Sequence, residues 1–228
     1  MGFSPKNLLV SATLFVLFAA AGCGGSGSAA LAPLTGPGPA TSPTLIPTPT
    51  APAPTPTPIA ISAGGTVGTP TFPPGNTASG GQGAPVDGIP CAASPPQNQL
   101  HIHPHLSFYV NGTQLAIPLG VGIINAHVTS GFADSADCFY YVHTHDATGI
   151  IHIETPFSFP AITLGNLFHI WGQPLSSSNI AGYTGAQLIY IDTAPYNGDP
   201  ALIPLDVNKK HITLEVGPPF VYPTFYSY

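Results

Sequence analysis

The chain of 228 residues is poor in charge: it contains three lysines, no arginine and nine acidic residues, which give a formal net charge of −6. Proteins that bind nucleic acid usually present a basic surface, which this composition cannot supply. We therefore expect no nucleic-acid partner. With so few charges, much of the polar surface must come from serine, threonine, asparagine, tyrosine and the nine histidines.

Residues 1–22 have the pattern of an export signal. A lysine precedes a mostly apolar run at residues 8–21, which is shorter than the roughly 20 residues that a membrane-spanning helix needs. The run ends in Ala20-Ala21-Gly22-Cys23, which resembles the lipobox of bacterial lipoproteins, although Ala20 stands where that motif usually has leucine. The resemblance implies cleavage before Cys23 and a diacylglycerol on its sulfur. An ordinary signal peptide with a chance cysteine is the alternative.

This pattern predicts an exported protein, anchored by lipid in the bacterial cell envelope at the periplasmic face or the cell surface. The composition of residues 23–88 then predicts a disordered stalk. These residues are nearly all Pro, Thr, Ala, Gly and Ser, and no charged residue occurs before Asp87. Such a segment buries too little apolar surface to offset the entropy of ordering it, and its repeated prolines favour extended polyproline II.

The remaining residues, 89–228, have the length of one ordinary domain. If Cys23 carries lipid, Cys91 and Cys138 remain, in an oxidising compartment that favours a disulfide. That bond would stabilise the domain by roughly 4 kcal/mol in the chain-entropy model. The alternative is a thiolate metal ligand, since Cys138 lies five residues before His143.

Residues 101–110, HIHPHLSFYV, alternate as a β-strand does. The aliphatic residues fall on one side, and His101, His103 and His105 fall on the other. Pro104 cannot donate to a ladder, so we expect it at a strand end or a sheet edge. The Asn-Gly pair that follows predicts a two-residue hairpin turn, with a return strand from residue 113.

Residues 138–156 predict a second hairpin, because two strand-like runs flank the turn composition of residues 146–149. If those four residues form the loop, the side chains of His143, His145, His152 and Glu154 emerge on one face. The corresponding register pairs His145 with Ile150, His143 with His152, and Tyr141 with Glu154.

Residues 163–172 predict a short helix that Thr163 caps and Gly172 ends. Strands are then predicted at 187–192, 201–205 and 211–216. Two hairpins, one helix and further strands indicate an α+β domain, mostly antiparallel and β-grasp-like, with a small β-sandwich as the alternative.

The motifs HIHPH, CFYYVHTHDATGIIHIE and TLGNLFHIWG, in this order, resemble a group of exported bacterial domains with no assigned activity. The resemblance covers most of residues 89–217 and implies one folded unit. It implies no cofactor, substrate or site.

The grouped histidines predict a metal site. Neighbours at i and i+2 on a strand share a face, and opposed residues of a hairpin lie close enough to bind one ion together. The predicted ligands are His103, His105, His143, His145 and His152. The predicted outer partners, which would orient the ligand rings, are His101, Asp146 and Glu154. A polar, aromatic-rich surface without metal is the alternative.

Imidazole ligands suit Zn²⁺, Cu²⁺ or Ni²⁺, and we expect zinc because its site needs no special geometry. The isolated histidines have ordinary interpretations: His211 and His169 are expected at the surface, and His127 is left without a role.

Three functions from different classes follow. The first is a lipid-anchored metal-binding protein that sequesters, delivers or structurally uses a divalent ion. The second is a metal-dependent enzyme of the hydrolase or lyase type, in which Glu154 or Asp146 would act as general base. The third is a structural or adhesion module without metal. The first is favoured, no residue is predicted to be catalytic, and no protein partner is predicted.

Overall fold

The computed structural model describes residues 57–75, 80–94, 96 and 99–228. The predicted export signal, Cys23 and residues 24–56 of the predicted stalk lie outside this part of the chain. Within it, no helix is long and apolar enough to cross a membrane.

The described residues form short strands, an α-helix and a 3-10 helix at Pro200–Leu202. In chain order the elements are β1 (Ile59–Ala60), β2 (Cys91–Ala92), β3 (Gln99–Ile102), β4 (His105–Val110), β5 (Thr113–Leu115), β6 (Ile123–Ile124), β7 (His127–Thr129), β8 (Phe132–Ser135), β9 (Cys138–Tyr140), β10 (Val142–His143), β11 (His152–Pro156), α1 (Leu164–Trp171), β12 (Gln187–Ile191), β13 (Ala194–Pro195), β14 (His211–Val216) and β15 (Tyr226–Ser227).

The largest sheet has the strand order β13-β12-β14-β4-β5. The hairpin β4–β5 precedes the helix in the chain, and β14 inserts beside β4 in parallel, with His211 opposite His105. Within this sheet, the hairpin β4–β5, the helix α1 that follows it, and the later strand β14, which is parallel to β4, form the β-grasp arrangement. The predicted α+β, β-grasp-like class is therefore confirmed over the β-sandwich alternative.

The first hairpin turns where the sequence predicts. Asn111 and Gly112 both have positive φ, 49° and 75°, as a tight primed turn requires. The helix is also confirmed: the Thr163 side chain accepts a hydrogen bond from the Asn166 backbone, and Gly172 ends the helix in the left-handed conformation. Both features depend on neighbours in sequence, which is why they could be predicted.

Two predicted strands differ from the structure. The strand predicted at 101–110 is divided at Pro104 into β3 and β4, which belong to different sheets. Pro104 thus lies at a strand end, as expected. The strand predicted at 201–205 is wrong, because Asp199 caps the 3-10 helix there by accepting a hydrogen bond from Ala201 N at 3.0 Å.

The core includes one face of the central strands. Leu106, Phe108, Ile212 and Leu214 are at most 1 % exposed and form one apolar cluster with residues of α1 such as Trp171. Burial of these side chains supplies the main free energy of folding.

The opposite face of β4 and β14 is polar but also buried. The prediction that His211 lies at the surface is wrong, since only 9 % of the residue is exposed. The C-terminal residues cover this face: Phe225 lies 4.8 Å from the His211 ring, and Tyr226 lies 4.4 Å from the His105 ring. Alternation distinguishes the two faces of a strand, but does not show which face another segment covers.

Part of the predicted stalk contacts the domain that is predicted to begin at residue 89. Strand β1 pairs in parallel with β15, and Val67 N donates to Ala147 O at 2.9 Å. The Phe72 ring packs against Trp171 at 4.9 Å. A composition rich in proline and threonine did not prevent these residues from pairing with strand edges through their backbone.

The disulfide between Cys91 and Cys138 is confirmed. It links β2 to β9, which are neighbours in a three-stranded sheet. Because both sulfurs are in the bond, the alternative of a thiolate metal ligand is excluded.

Candidate metal centre

The predicted hairpin register brings the candidate ligands together on a second sheet, with the order β10-β11-β3. His143 lies directly opposite His152, as predicted. The predicted pair of His145 and Ile150 does not form: His145 O accepts from Ala133 N at 2.8 Å, and Ile150 bridges to His105.

Alternation explains why polar side chains share one face of this sheet. Val142, Ile153 and Ile102 are buried in the apolar core. Their neighbours along the strands, His143, His152 and Glu154, therefore point to the other face. His101, which lies opposite Glu154, joins them there. His103 and His145 each follow two residues after a member of this set.

The histidines form two close pairs on either side of His152. Nε2 of His143 lies 3.1 Å from Nε2 of His145, and Nε2 of His103 lies 3.0 Å from Nε2 of His101. The His152 ring centre is 4.4 Å from that of His145 and 4.4 Å from that of His103.

Two overlapping groups of donor atoms result. In each group, one donor atom from every residue lies within 4.8 Å of all the others. We call the buried group the inner site and the more exposed group the outer site. The inner site consists of His143, His145, His152 and Glu154, and the outer site of His101, His103 and His152.

Hydrogen bonds fix the orientation of the inner pair of rings. His143 Nδ1 lies 2.7 Å from Tyr140 O, and His145 Nδ1 lies 2.5 Å from Ala133 O. A carbonyl oxygen only accepts, so both Nδ1 atoms carry the hydrogen. In the neutral rings the two Nε2 atoms then present bare lone pairs to each other. Only a cation or an added proton between them makes this arrangement favourable.

Burial keeps these rings neutral. It lowers the pKa of His143 and of His145, and neighbouring histidines lower them further. It also lowers the pKa of His103 to about 4, with His152 and His101 as the next causes. Metal ligation requires neutral imidazole, so these three side chains are in the correct form at neutral pH.

Glu154 supplies negative charge to the cluster. Its pKa is lowered chiefly by His152, whose Nδ1 lies 3.9 Å from Oε1. At that separation the interaction is electrostatic rather than a hydrogen bond. Oε1 also lies 3.1 Å from His101 Nε2. A carboxylate that remains ionised among histidines is suited to bind a cation with them.

Two predicted site residues lie apart from both groups. His105, predicted as a ligand, donates from Nε2 to Thr148 O at 2.9 Å and stacks on Tyr226. Asp146, predicted as an outer partner, accepts from the backbone of Gly64 at 2.9 Å and of Thr148 at 3.0 Å. It therefore stabilises the turn rather than orienting a ring. Conversely, His101 and Glu154 were predicted as outer partners, but they offer donor atoms directly.

The sequence did not indicate how β8 supports the site. The Phe132 ring stacks on His145 with centres 4.6 Å apart and planes inclined by 1°. Together with the carbonyl of Ala133, it holds the His145 ring. No local pattern in the sequence relates residues 132–133 to the hairpin, since the contact depends on the tertiary fold.

A cleft of about 510 Å³ lies beside the cluster. His103, His152 and Phe132 form part of its wall, together with Lys209, Asp146 and Tyr228. Solvent and small solutes can therefore reach the outer site.

The remaining isolated histidines are exposed. The side chain of His169 is 59 % exposed and pairs with Asp87 at 2.6 Å, which confirms its predicted surface position. His127 is also exposed and pairs with Asp134 at 2.9 Å. Both lie outside the two groups of donor atoms.

In comparisons with known proteins, no family model, no curated protein and no solved structure matches the chain.

Proposed function

We propose that the protein is an exported, lipid-anchored protein that binds a divalent metal ion at the inner site. The observation that supports this most is the pair of bare Nε2 atoms, 3.1 Å apart, on His143 and His145. Backbone carbonyls hold both rings in this tautomer, which is the usual support of histidine ligands. His152 and Glu154 complete a set of four donors.

Zinc is the ion we propose, with Cu²⁺ or Ni²⁺ as alternatives. Ligands bound to zinc at 2.0–2.1 Å in a tetrahedron lie about 3.4 Å from each other, close to the spacing of the inner pair. Three imidazoles and one carboxylate are ordinary zinc ligands, whereas Cu²⁺ and Ni²⁺ favour square-planar or tetragonal sites. Four protein donors leave no open position, which favours sequestration, delivery or a structural role over catalysis.

A metal-dependent hydrolase or lyase is the second candidate, and the cleft beside His103 and His152 favours it. Catalysis would require one donor, such as Glu154, to give way to an exchangeable water. A structural or adhesion module would be indicated if no ion binds.

Metal titration tests the proposal. The purified protein in detergent should bind one Zn²⁺ per chain in competition with a chromophoric chelator. Loss of an outer partner typically lowers metal affinity 10- to 100-fold, so the loss of a ligand in His143→Ala or His145→Ala should lower it by about 100-fold or more. His169→Ala, which removes an exposed histidine elsewhere, is the matched control. Equal affinity in all four proteins would contradict the proposal.

Membrane anchoring is proposed from the sequence of residues 1–23 alone. Cys23→Ala removes the sulfur that would carry the lipid, so the variant should move from the membrane fraction to the soluble fraction. The expected change is measured by detergent partitioning of cell extracts. Ser4→Ala, in the same N-terminal segment, should leave the protein with the membranes. Unchanged partitioning of Cys23→Ala would contradict the anchor.

A further inference from the structure

We infer that the outer site captures a divalent cation from solution and passes it to the inner site through their shared ligand, His152. This inference rests on the proposed function, because it requires the inner site to bind an ion. It adds a sequence of events: capture by His101, His103 and His152, followed by retention by His143, His145, His152 and Glu154.

The donors become more buried from the outer site to the inner site. The side chain of His101 is 45 % exposed, that of His152 is 17 % exposed, and the residue His143 is 1 % exposed. A hydrated ion in the cleft therefore meets His103 and His152, which line it, before it can meet the buried His143.

His152 is placed for an exchange of ligands. Its ring centre is equally far, 4.4 Å, from His103 on one side and from His145 on the other. An ion held by the outer site can thus keep His152 while the outer imidazoles are replaced one at a time by the inner ones. The ion is never stripped of all its ligands at once, which would cost most in free energy.

The shared ligand also limits the number of ions. A neutral imidazole has only one nitrogen free of hydrogen, so His152 can serve one ion at a time. The two sites are therefore occupied in turn rather than together. Glu154 supports both positions, because Oε1 lies 3.1 Å from His101 Nε2 and 3.9 Å from His152 Nδ1.

The route to the outer site is the cleft of about 510 Å³, whose wall includes both His103 and His152. Lys209 and Asp146 also line it, and their formal charges are opposite. The negative charge closest to the histidines is that of Glu154, so the electrostatic attraction on a cation is directed toward the transfer position.

Stopped-flow binding of Co²⁺ to the detergent-solubilised full chain tests this inference, since cobalt bound by nitrogen ligands absorbs visible light. If the outer site only serves as an intermediate on the way to the inner site, its loss slows association and release by the same factor. The dissociation constant, which is the ratio of the two rate constants, then stays the same. In the His103→Ala variant, which leaves the contact between His101 and Glu154 in place, both the association rate and the release rate into excess EDTA should fall about tenfold or more, equivalent to about 1.4 kcal/mol in the barrier. The dissociation constant should change by less than about threefold, or roughly 0.6 kcal/mol.

Matched variants separate the possible outcomes. His169→Ala should leave both rates unchanged, and His143→Ala/His145→Ala should lose tight binding while weak, rapid binding remains. Unchanged rates in the His103→Ala variant, or two tightly bound ions per wild-type chain, would overturn the inference while the proposed function stands. If the wild type binds no Co²⁺ and no Zn²⁺, both fail together.

Discussion

His105 lies beneath the C-terminal strand, where its ring stacks on Tyr226 and its Nε2 donates to Thr148 O. Burial, together with the neighbouring His211, lowers its pKa to about 3. In the unfolded chain a histidine titrates near pH 6.5. As the pH falls, the unfolded state therefore takes up this proton first. The contribution of His105 to the free energy of unfolding is therefore complete above about pH 6.5 and is lost progressively as the pH falls to about 3.

We predict that His105→Phe flattens the acid dependence of stability. The free energy of unfolding of the wild type should fall by on the order of 4 kcal/mol through this residue between pH 6.5 and pH 3, and the variant should lack that contribution. Urea unfolding at a series of pH values measures the two slopes. The variant also loses the hydrogen bond to Thr148, which lowers its stability at pH 7 by about 1 kcal/mol.

His169→Phe is the control for this slope, because its exposed pair with Asp87 contributes little. Parallel curves for wild type and His105→Phe would contradict the account of His105.

The same residue shows how far side-chain positions could be predicted. Period-2 alternation correctly placed His143, His152 and Glu154 on one face, because every step of that inference is local to one hairpin. His105 lies apart from the two groups because β3 ends at Ile102, before Pro104, and His105 begins a strand of another sheet. Alternation does not carry across such a break.

At the scale of elements, the sequence predicted the features that short-range chemistry determines. The Asn111-Gly112 turn and the capped helix are in place. The pairing of β1 with β15 was not predicted, since its partners are more than 160 residues apart in the chain. Neither the alternation nor the composition of residues 57–75 indicates which strands and side chains these residues contact.

We predict that Phe72 stabilises the domain although it lies in the predicted stalk. Its ring centre lies 4.9 Å from that of Trp171 and 6.3 Å from that of Tyr183. A fully buried phenylalanine costs about 3–5 kcal/mol when truncated to alanine, and Phe72 is half-buried, so Phe72→Ala should lower the free energy of unfolding by about 2 kcal/mol. Urea denaturation measures the change.

Phe157→Ala is the matched control, because Phe157 is 73 % exposed and its loss should change stability by less than about 0.5 kcal/mol. If both variants unfold at the same urea concentration, the Phe72 side chain contributes nothing to the free energy of unfolding. That result would contradict the prediction that residues 57–75 stabilise the domain.

On the scale of the whole molecule, the inner and outer sites together bring side chains from two parts of the fold side by side. β3 leads directly into the central sheet through β4, whereas β10 and β11 belong to the segment between β5 and the helix. An ion bound by donors on β10, β11 and the loop after β10 would link these two strands and the loop to one another. Binding to the folded state alone also raises stability by mass action, so metal and folding are thermodynamically linked.

The central claim is that His143, His145, His152 and Glu154 hold one zinc ion. X-ray absorption at the zinc edge of the zinc-loaded protein tests it most directly, because the spectrum reports the ligands themselves. The account predicts four nitrogen or oxygen neighbours at about 2.0–2.1 Å, with the outer-shell scattering of about three imidazoles. A shell of six oxygens without imidazole scattering, or a protein that retains no zinc to measure, would contradict it.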